Sequence, residues 1–210
     1  SSEALYNKSN FYLNLSLYFN PKFKINAALL AENFFQMKKY NKSMKIYENF
    51  DYKNFVFYWH AVKRITLINK KINNEKIAID FLEKNFNQIK KPNTKIYFDM
   101  ANLYKTFDKF EESIKYYTQV INTLNEKHPK YSEVLYRRGG SYERLKMWKN
   151  SDNDLLRSIE INSENPHVLN YLAYSWLERE HKIEEAMNML ILAHNKKPND
   201  PYITDSIAWA

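Results

Sequence analysis

The chain has 210 residues with 44% hydrophobic and 16% aromatic content, enough apolar side chain to bury a core in one or two domains. Its 2 glycines are adjacent, at Gly139 and Gly140, and it has no cysteine. These counts exclude a glycine-rich phosphate loop, a dinucleotide-binding fingerprint, a disulfide, a thiolate metal site and a cysteine nucleophile. The net charge of +8 is uneven: residues 1–93 carry 16 Lys or Arg against 7 Asp or Glu, and residues 94–210 carry 16 against 17. Clustered positive charge raises local potential, so the first half is the one that would face an anionic partner. The excess of Lys (26) over Arg (6), with 26 Asn, also follows from A- and T-rich codons. No run approaches the roughly 18 apolar residues of a membrane-spanning helix, and Ser1-Ser2-Glu3-Ala4 lacks the basic flank of a signal peptide, so it reads as mature or truncated sequence.

Proline breaks helices because it lacks an amide donor and clashes with the preceding turn. Pro21, Pro92, Pro129, Pro166, Pro198 and Pro201 cut the chain into units of similar length, each with two apolar stripes at helical spacing. Residues 1–23 form a partial unit, in which Leu13, Ser16, Leu17 and Pro21 read as a second helix without its first. Residues 24–57 place Ala27, Leu30, Ala31 and Phe34 on one helix and Tyr40, Ser43 and Tyr47 on the next. Residues 54–93 are irregular: Ala61 and Ala78 lie 17 apart, which predicts a longer first helix or an enlarged turn around Asn69–Asn74. Residues 94–131 give Tyr97, Met100, Ala101 and Tyr104, a polar break at Asp108-Lys109, then Phe110, Ser113, Tyr117 and Val120. Residues 132–165 give Leu135, Gly139, Tyr142, Trp148, Ser151, Leu155 and Ser158. Residues 166–200 give Leu169, Leu172, Ala173, Trp176, Ala186, Leu190, Ala193 and Pro198, with one extra residue near His181. Residues 201–210 open a further first helix that reaches Ala208. Where Ser stands for Ala, its hydroxyl is expected to bond a carbonyl one turn back on its own helix.

This alternation of large and small residues resembles the tetratricopeptide repeat family. The resemblance implies an all-α fold: a right-handed α-solenoid of stacked antiparallel helix pairs over residues 1–210, with a concave inner wall. The run Val168–Trp176, together with Tyr202–Trp209, is similar to long, often exported bacterial proteins of this kind, with Ala173 and Ala208 where those relatives commonly carry Gly. That implies a bacterial source and a periplasmic setting, with the cytoplasm as the alternative.

In this architecture the outward positions of the first helices line the wall. They are Phe98, Asp99, Asn102 and Lys105, then Tyr136, Arg137, Gly140 and Glu143, then Asn170, Tyr171 and Tyr174, then Asp205 and Ser206. Aromatic rings offer contact area at low entropy cost, and Asn, Arg and Tyr can bond the backbone of an extended peptide or docked helix, so the expected partner is a protein or peptide. Lys95, Asn102 and Arg137 make only a partial match to the set with which chaperone-type repeats hold a C-terminal carboxylate.

No catalytic residue, metal or cofactor is expected. The five His show no His-Glu-x-x-His pair, there is no Gly-x-Ser-x-Gly elbow, and Glu111-Glu112 and Glu184-Glu185 open second helices, where acidic charge suits the helix dipole. The alternative function is nucleic-acid or polyanion binding, in which Lys38-Lys39, Lys63-Arg64, Lys70-Lys71 and Lys90-Lys91 act with Phe55, Tyr58, Trp59 and Phe86. Ile207 and Trp209, on a first helix without its second, predict self-association at that end.

Overall fold

The computed structural model describes residues 2–210, which contain twelve α-helices and no strand. Their packing divides into two compact units, Ser1–Lys91 and Pro92–Ala210. The first holds α1 (Ser2–Phe19), α2 (Lys24–Gln36), α3 (Tyr40–Tyr47), a short 3-10 turn (Tyr52–Asn54), α4 (Phe55–Ile72) and α5 (Glu75–Phe86). The second holds α6 (Thr94–Thr106), α7 (Phe110–Thr123), α8 (Tyr131–Arg144), α9 (Trp148–Ile161), α10 (Pro166–Glu178), α11 (Ile183–Lys196) and α12 (Pro201–Trp209). Within each unit every helix packs on its chain neighbours, and first helices also meet one another, as α2 with α4 and α10 with α12. Such nearest-neighbour packing defines an α-solenoid of antiparallel pairs.

Two kinds of joint set the stack. Within a pair, the first helix ends in a Schellman turn. Lys38 N–H donates to the Phe35 carbonyl and Lys39 N–H to that of Phe34, at 3.0 and 2.8 Å. The same pair of bonds recurs at Asp108-Lys109, Lys146-Met147 and Glu180-His181. The first residue of each is left-handed, with φ of 58, 55, 57 and 52°, a conformation that glycine adopts at least cost. Lys182 follows the last of these with a second positive φ of 46°, in the longer turn before α11. At three first helices the start is a side-chain cap: Asn93, Asn165 and Asp200 accept from the amides of Ile96, His167 and Tyr202 at 3.0, 3.1 and 3.1 Å, whereas Lys130 before α8 makes no such bond. Pro166 and Pro201 occupy the first helical position, where no amide donor is needed. In the irregular pair α4 runs 18 residues, so the extra length lies in the first helix, and Asn74 caps α5 through the Ile77 amide at 2.8 Å.

The small residues let backbones approach. Ala31, Ser43, Ala101, Ser113, Gly139, Ser151, Ala173 and Ala186 are all buried, beside Tyr47, Tyr117, Leu155, Trp176 and Leu190. The serine hydroxyls depart from the expected self-bond. Ser43 donates across to the Ala31 carbonyl at 2.8 Å, Ser158 and Ser132 bond each other's carbonyls at 2.9 and 3.0 Å, and Ser113 pairs with Ser141 at 3.2 Å. With helices this close, the neighbouring backbone is a nearer acceptor than the turn below. Ser151 Oγ is buried without a partner among the described residues.

Candidate functional site

First helices α6, α8, α10 and α12 line one side of the second unit and position the expected wall residues. Phe98 and Asn102 of α6 meet Arg137 of α8. The guanidinium lies 5.4 Å from the Phe98 ring centre, donates to Asn102 Oδ1 at 3.3 Å, and is paired with Glu133 at 2.8 Å. Tyr117, from second helix α7, reaches the same place: its hydroxyl donates to Asn102 Oδ1 at 2.7 Å, and its ring stands edge-on to Phe98 at 6.0 Å. Burial pushes the Tyr117 phenol up to about 12. The sequence assigns Tyr117 to the core, where the whole side chain lies, its hydroxyl bonding Asn102 without exposed surface of its own. Asp99 faces Lys95 at 3.7 Å.

One turn on, Lys105, Gly140, Glu143 and Tyr171 form a second cluster. Tyr171 OH donates to Glu143 Oε2 at 3.0 Å, and its ring packs edge-on against Tyr136 at 5.6 Å. Burial raises both phenol pKa values, helped at Tyr171 by the Glu143 charge. The Lys105 ammonium has no hydrogen-bond or ion-pair partner among the described residues, and burial, then Arg137 and Arg144, hold it below the usual lysine range. Gly140 leaves the gap: a Cβ there would lie 3.3 Å from both Lys105 Nζ and Tyr171 OH.

Between α8, α10 and α12 opens a cleft of about 510 Å³, lined by Glu133, Tyr136, Arg137, Asn165, His167, Asn170, Tyr171 and Tyr202. Asn170 Oδ1 is buried and has no hydrogen-bond partner among the described residues. Four expected wall residues, Tyr136, Arg137, Asn170 and Tyr171, therefore line one cleft. Phe98, Asn102, Lys105 and Glu143 lie along its α6 side through the contacts above. Tyr174 and Asp205 sit towards the end of the chain, where the Tyr174 and Trp209 rings are 5.1 Å apart and a bond to Glu178 raises the Tyr174 phenol. Ser206, expected on the wall, is buried and donates to the Tyr202 carbonyl at 2.9 Å, which places it on the covered side of α12. Asn165, His167 and Tyr202 are cleft residues that the sequence reading did not place on the wall: the structure makes Asn165 the cap of α10, His167 its second residue and Tyr202 part of the first turn of α12, and nothing local in the chain marks them as facing α8.

In the first unit the basic residues are partly spent. Arg64 is held by Glu32 at 2.8 Å and lies over the Phe35 ring at 4.8 Å, and Trp59 is buried rather than open to stack on a base. Lys38, Lys39 and Lys42 line one shallow cavity with Ile72. No group of three potential metal ligands occurs among the described residues, and no helix there is long and apolar enough to cross a membrane.

The family model described as "Tetratricopeptide repeat" matches residues 94–123, the α6–α7 pair. Residues 94–123 thus match one tetratricopeptide repeat. The TPR repeat-containing protein PA4667 of Pseudomonas aeruginosa is 30% identical over 91 residues, covering 43% of this chain and 15% of its own length. Among solved structures, the APC/C hetero-tetramer Cut9-Hcn1 aligns with a TM-score of 0.65 at 14% identity, covering 97% of this chain and 39% of that one. YrrB, described as a TPR protein with an unusual peptide-binding site, aligns at 0.58 and 14% identity, covering 92% and 96%. MamA from Desulfovibrio magneticus RS-1 aligns at 0.63 and 6%, covering 85% and 97%. At these identities the structural likenesses establish the tetratricopeptide fold alone.

Proposed function

We propose that the tetratricopeptide repeats of residues 92–210 are a non-catalytic interaction scaffold whose α8–α10–α12 cleft binds an extended peptide of a partner protein. The observation that carries this reading is Asn170, a cleft residue whose carboxamide oxygen has no hydrogen-bond partner among the described residues. An unsatisfied buried acceptor costs about 1–3 kcal/mol, and turning the Asn170 carboxamide into the cleft on binding lets a peptide N–H supply the missing donor. Around it Tyr136, Tyr171 and Tyr202 offer aromatic surface, and Arg137 is already oriented by Glu133 and Asn102, so little ordering remains to be done on binding. YrrB, by the description of its structure, puts the same fold to peptide binding. The test is selection from a random-peptide display library on the whole chain, with Arg137→Ala/Asn170→Ala as the comparison. Enriched peptides should lose at least tenfold in affinity for the variant while its circular dichroism is unchanged; equal affinity for both proteins refutes the site.

The alternative, polyanion binding by residues 1–93, has less behind it because Arg64 is engaged by Glu32 and Trp59 is buried. Titration with single-stranded RNA at two salt concentrations separates the readings, since phosphate-driven binding weakens steeply with salt.

A further inference from the structure

Beside the cleft, one positive charge is held out of water without a counter-ion. Lys105, near the end of α6, is half-buried, and its ammonium has no hydrogen-bond or ion-pair partner among the described residues. Burial, then the charges of Arg137 and Arg144, disfavour that ammonium, and the Glu143 charge opposes them from beyond ion-pair distance. Sheltering a charge in this way is costly unless an opposite charge meets it.

The carboxylates at hand are committed elsewhere. Glu133 pairs with Arg137 at 2.8 Å, and Glu143 accepts from the Tyr171 hydroxyl at 3.0 Å. Arg144 lies over the Phe110 ring at 5.2 Å and has no carboxylate partner among the described residues. Three cations therefore share two carboxylates, and the surplus falls on Lys105 and Arg144. The approach to Lys105 is open because residue 140 is glycine: a Cβ there would stand 3.3 Å from both Lys105 Nζ and Tyr171 OH. Tyr171 also lines the α8–α10–α12 cleft, so the ammonium and the cleft share a wall.

The positions that partly match a terminal-carboxylate set are already engaged within the chain. Lys95 faces Asp99 at 3.7 Å, Arg137 is held by Glu133, and Asn102 Oδ1 accepts from both Tyr117 and Arg137. Lys105 and Arg144 stand outside that set and remain open to an anion.

We propose that Lys105, with Arg144 beside it, receives the acidic side chain of a peptide lying in the α8–α10–α12 cleft, so that an internal Asp or Glu is required at one position of the ligand. This inference rests on the cleft reading above and adds the chemistry of the ligand to it. A carboxylate gives the ammonium the charge-assisted bond that the chain does not provide. A neutral residue at the same place is rejected, because it would bury the cation further and leave it unpaired.

The test is selection on the whole chain from a random-peptide library fused through its C-terminus to the display protein, so that side chains are the only carboxylates of the variable segment. Enriched peptides should converge on Asp or Glu at one position. In synthetic peptides with an amidated C-terminus, changing that residue to Asn or Gln should weaken binding to the wild type about tenfold or more, and binding to Lys105→Met less than about twofold. Met keeps the unbranched stem, so the circular dichroism of the variant should match the wild type. Arg144→Met, at an exposed residue, should narrow the same gap and gives a second reading. Enriched peptides with no acidic position, or an equal loss on wild type and Lys105→Met, overturn the proposal and leave the cleft standing. A gain in affinity on freeing the peptide C-terminus that Lys105→Met abolishes assigns the ammonium to a terminal carboxylate and overturns it too. A library that yields no binder to the wild type overturns the cleft reading and this inference together.

Discussion

Gly139 and Gly140 stand side by side in α8, and replacing each by Ala should move stability in opposite directions. Both lie in a helix interior, where Ala is favoured over Gly by about 1 kcal/mol. At Gly140 the new Cβ would meet Lys105 Nζ and Tyr171 OH, each at 3.3 Å. Both are side-chain ends; the ammonium has no bond to break, so a shift of a few tenths of an ångström relieves the contact. At Gly139 it would lie 2.9 Å from Leu155 Cγ, 3.2 Å from Leu155 Cδ2 and 3.3 Å from Asp154 Cβ. Leu155 has no exposed surface and Asp154 is held by Arg138, so relief requires α8 and α9 to separate. Overpacking of this kind costs about 1–3 kcal/mol. Subtracting the propensity gain leaves Gly139→Ala destabilised by about 1 kcal/mol and Gly140→Ala stabilised by about 0.5–1 kcal/mol. At this chain length each kcal/mol moves the melting temperature by roughly 2–4 °C. Thermal melts followed by circular dichroism at 222 nm would separate the pair, and a Gly139→Ala protein as stable as its Gly140→Ala neighbour would refute the account of α8–α9 packing.

Three other perturbations have outcomes fixed by the geometry. Arg138 forks onto Asp154 with bonds of 2.7 and 2.8 Å between largely buried side chains, so Asp154→Ala should cost about 3–5 kcal/mol in urea denaturation, and Arg138→Met/Asp154→Leu should recover most of it. Lys146 sits at φ 57°, where an L-residue pays roughly 1–2 kcal/mol, so Lys146→Gly should raise stability by about 0.5–1 kcal/mol once the added freedom of the unfolded chain is deducted. Asp200 is held below the usual carboxylate range by its bond to Lys197 at 2.8 Å and by the Ile203 and Tyr202 amides. A depressed acid contributes stability that is complete above its unfolded value and lost as pH falls through its folded value, so α12 should loosen below the ordinary aspartate range. Trp209 fluorescence, read against a Trp209→Phe control, should show that transition in wild type, and Asp200→Asn should flatten it.

Much of this organisation is legible along the chain because its causes are local. Proline spacing, the small residue four after a large one in each first helix, and the caps at Asn93, Asn165 and Asp200 act over one turn or one joint, and the four Schellman turns fall where the apolar pattern breaks at Asp108-Lys109 and its equivalents. Helix rotation then makes Tyr136, Arg137, Asn170 and Tyr171 a set, since they share outward positions on successive first helices.

What depends on distance between helices is not written in any one of them. Whether Ser43 bonds its own helix or the Ala31 carbonyl is decided by how closely α2 and α3 approach, and Ser206 faces inward because α12 rotates to bury Ile203. The cleft needed Asn165, His167 and Tyr202, which belong to a cap, a junction and a helix start. They become neighbours of Arg137 only when α10 and α12 stack on α8. Residue type and periodicity determined that this chain forms paired helices and which stripe each one hides. Packing between pairs decided which polar atoms are spent and which remain open, because hydrogen bonds and burial are settled by approaches of a few ångströms that no single helix controls.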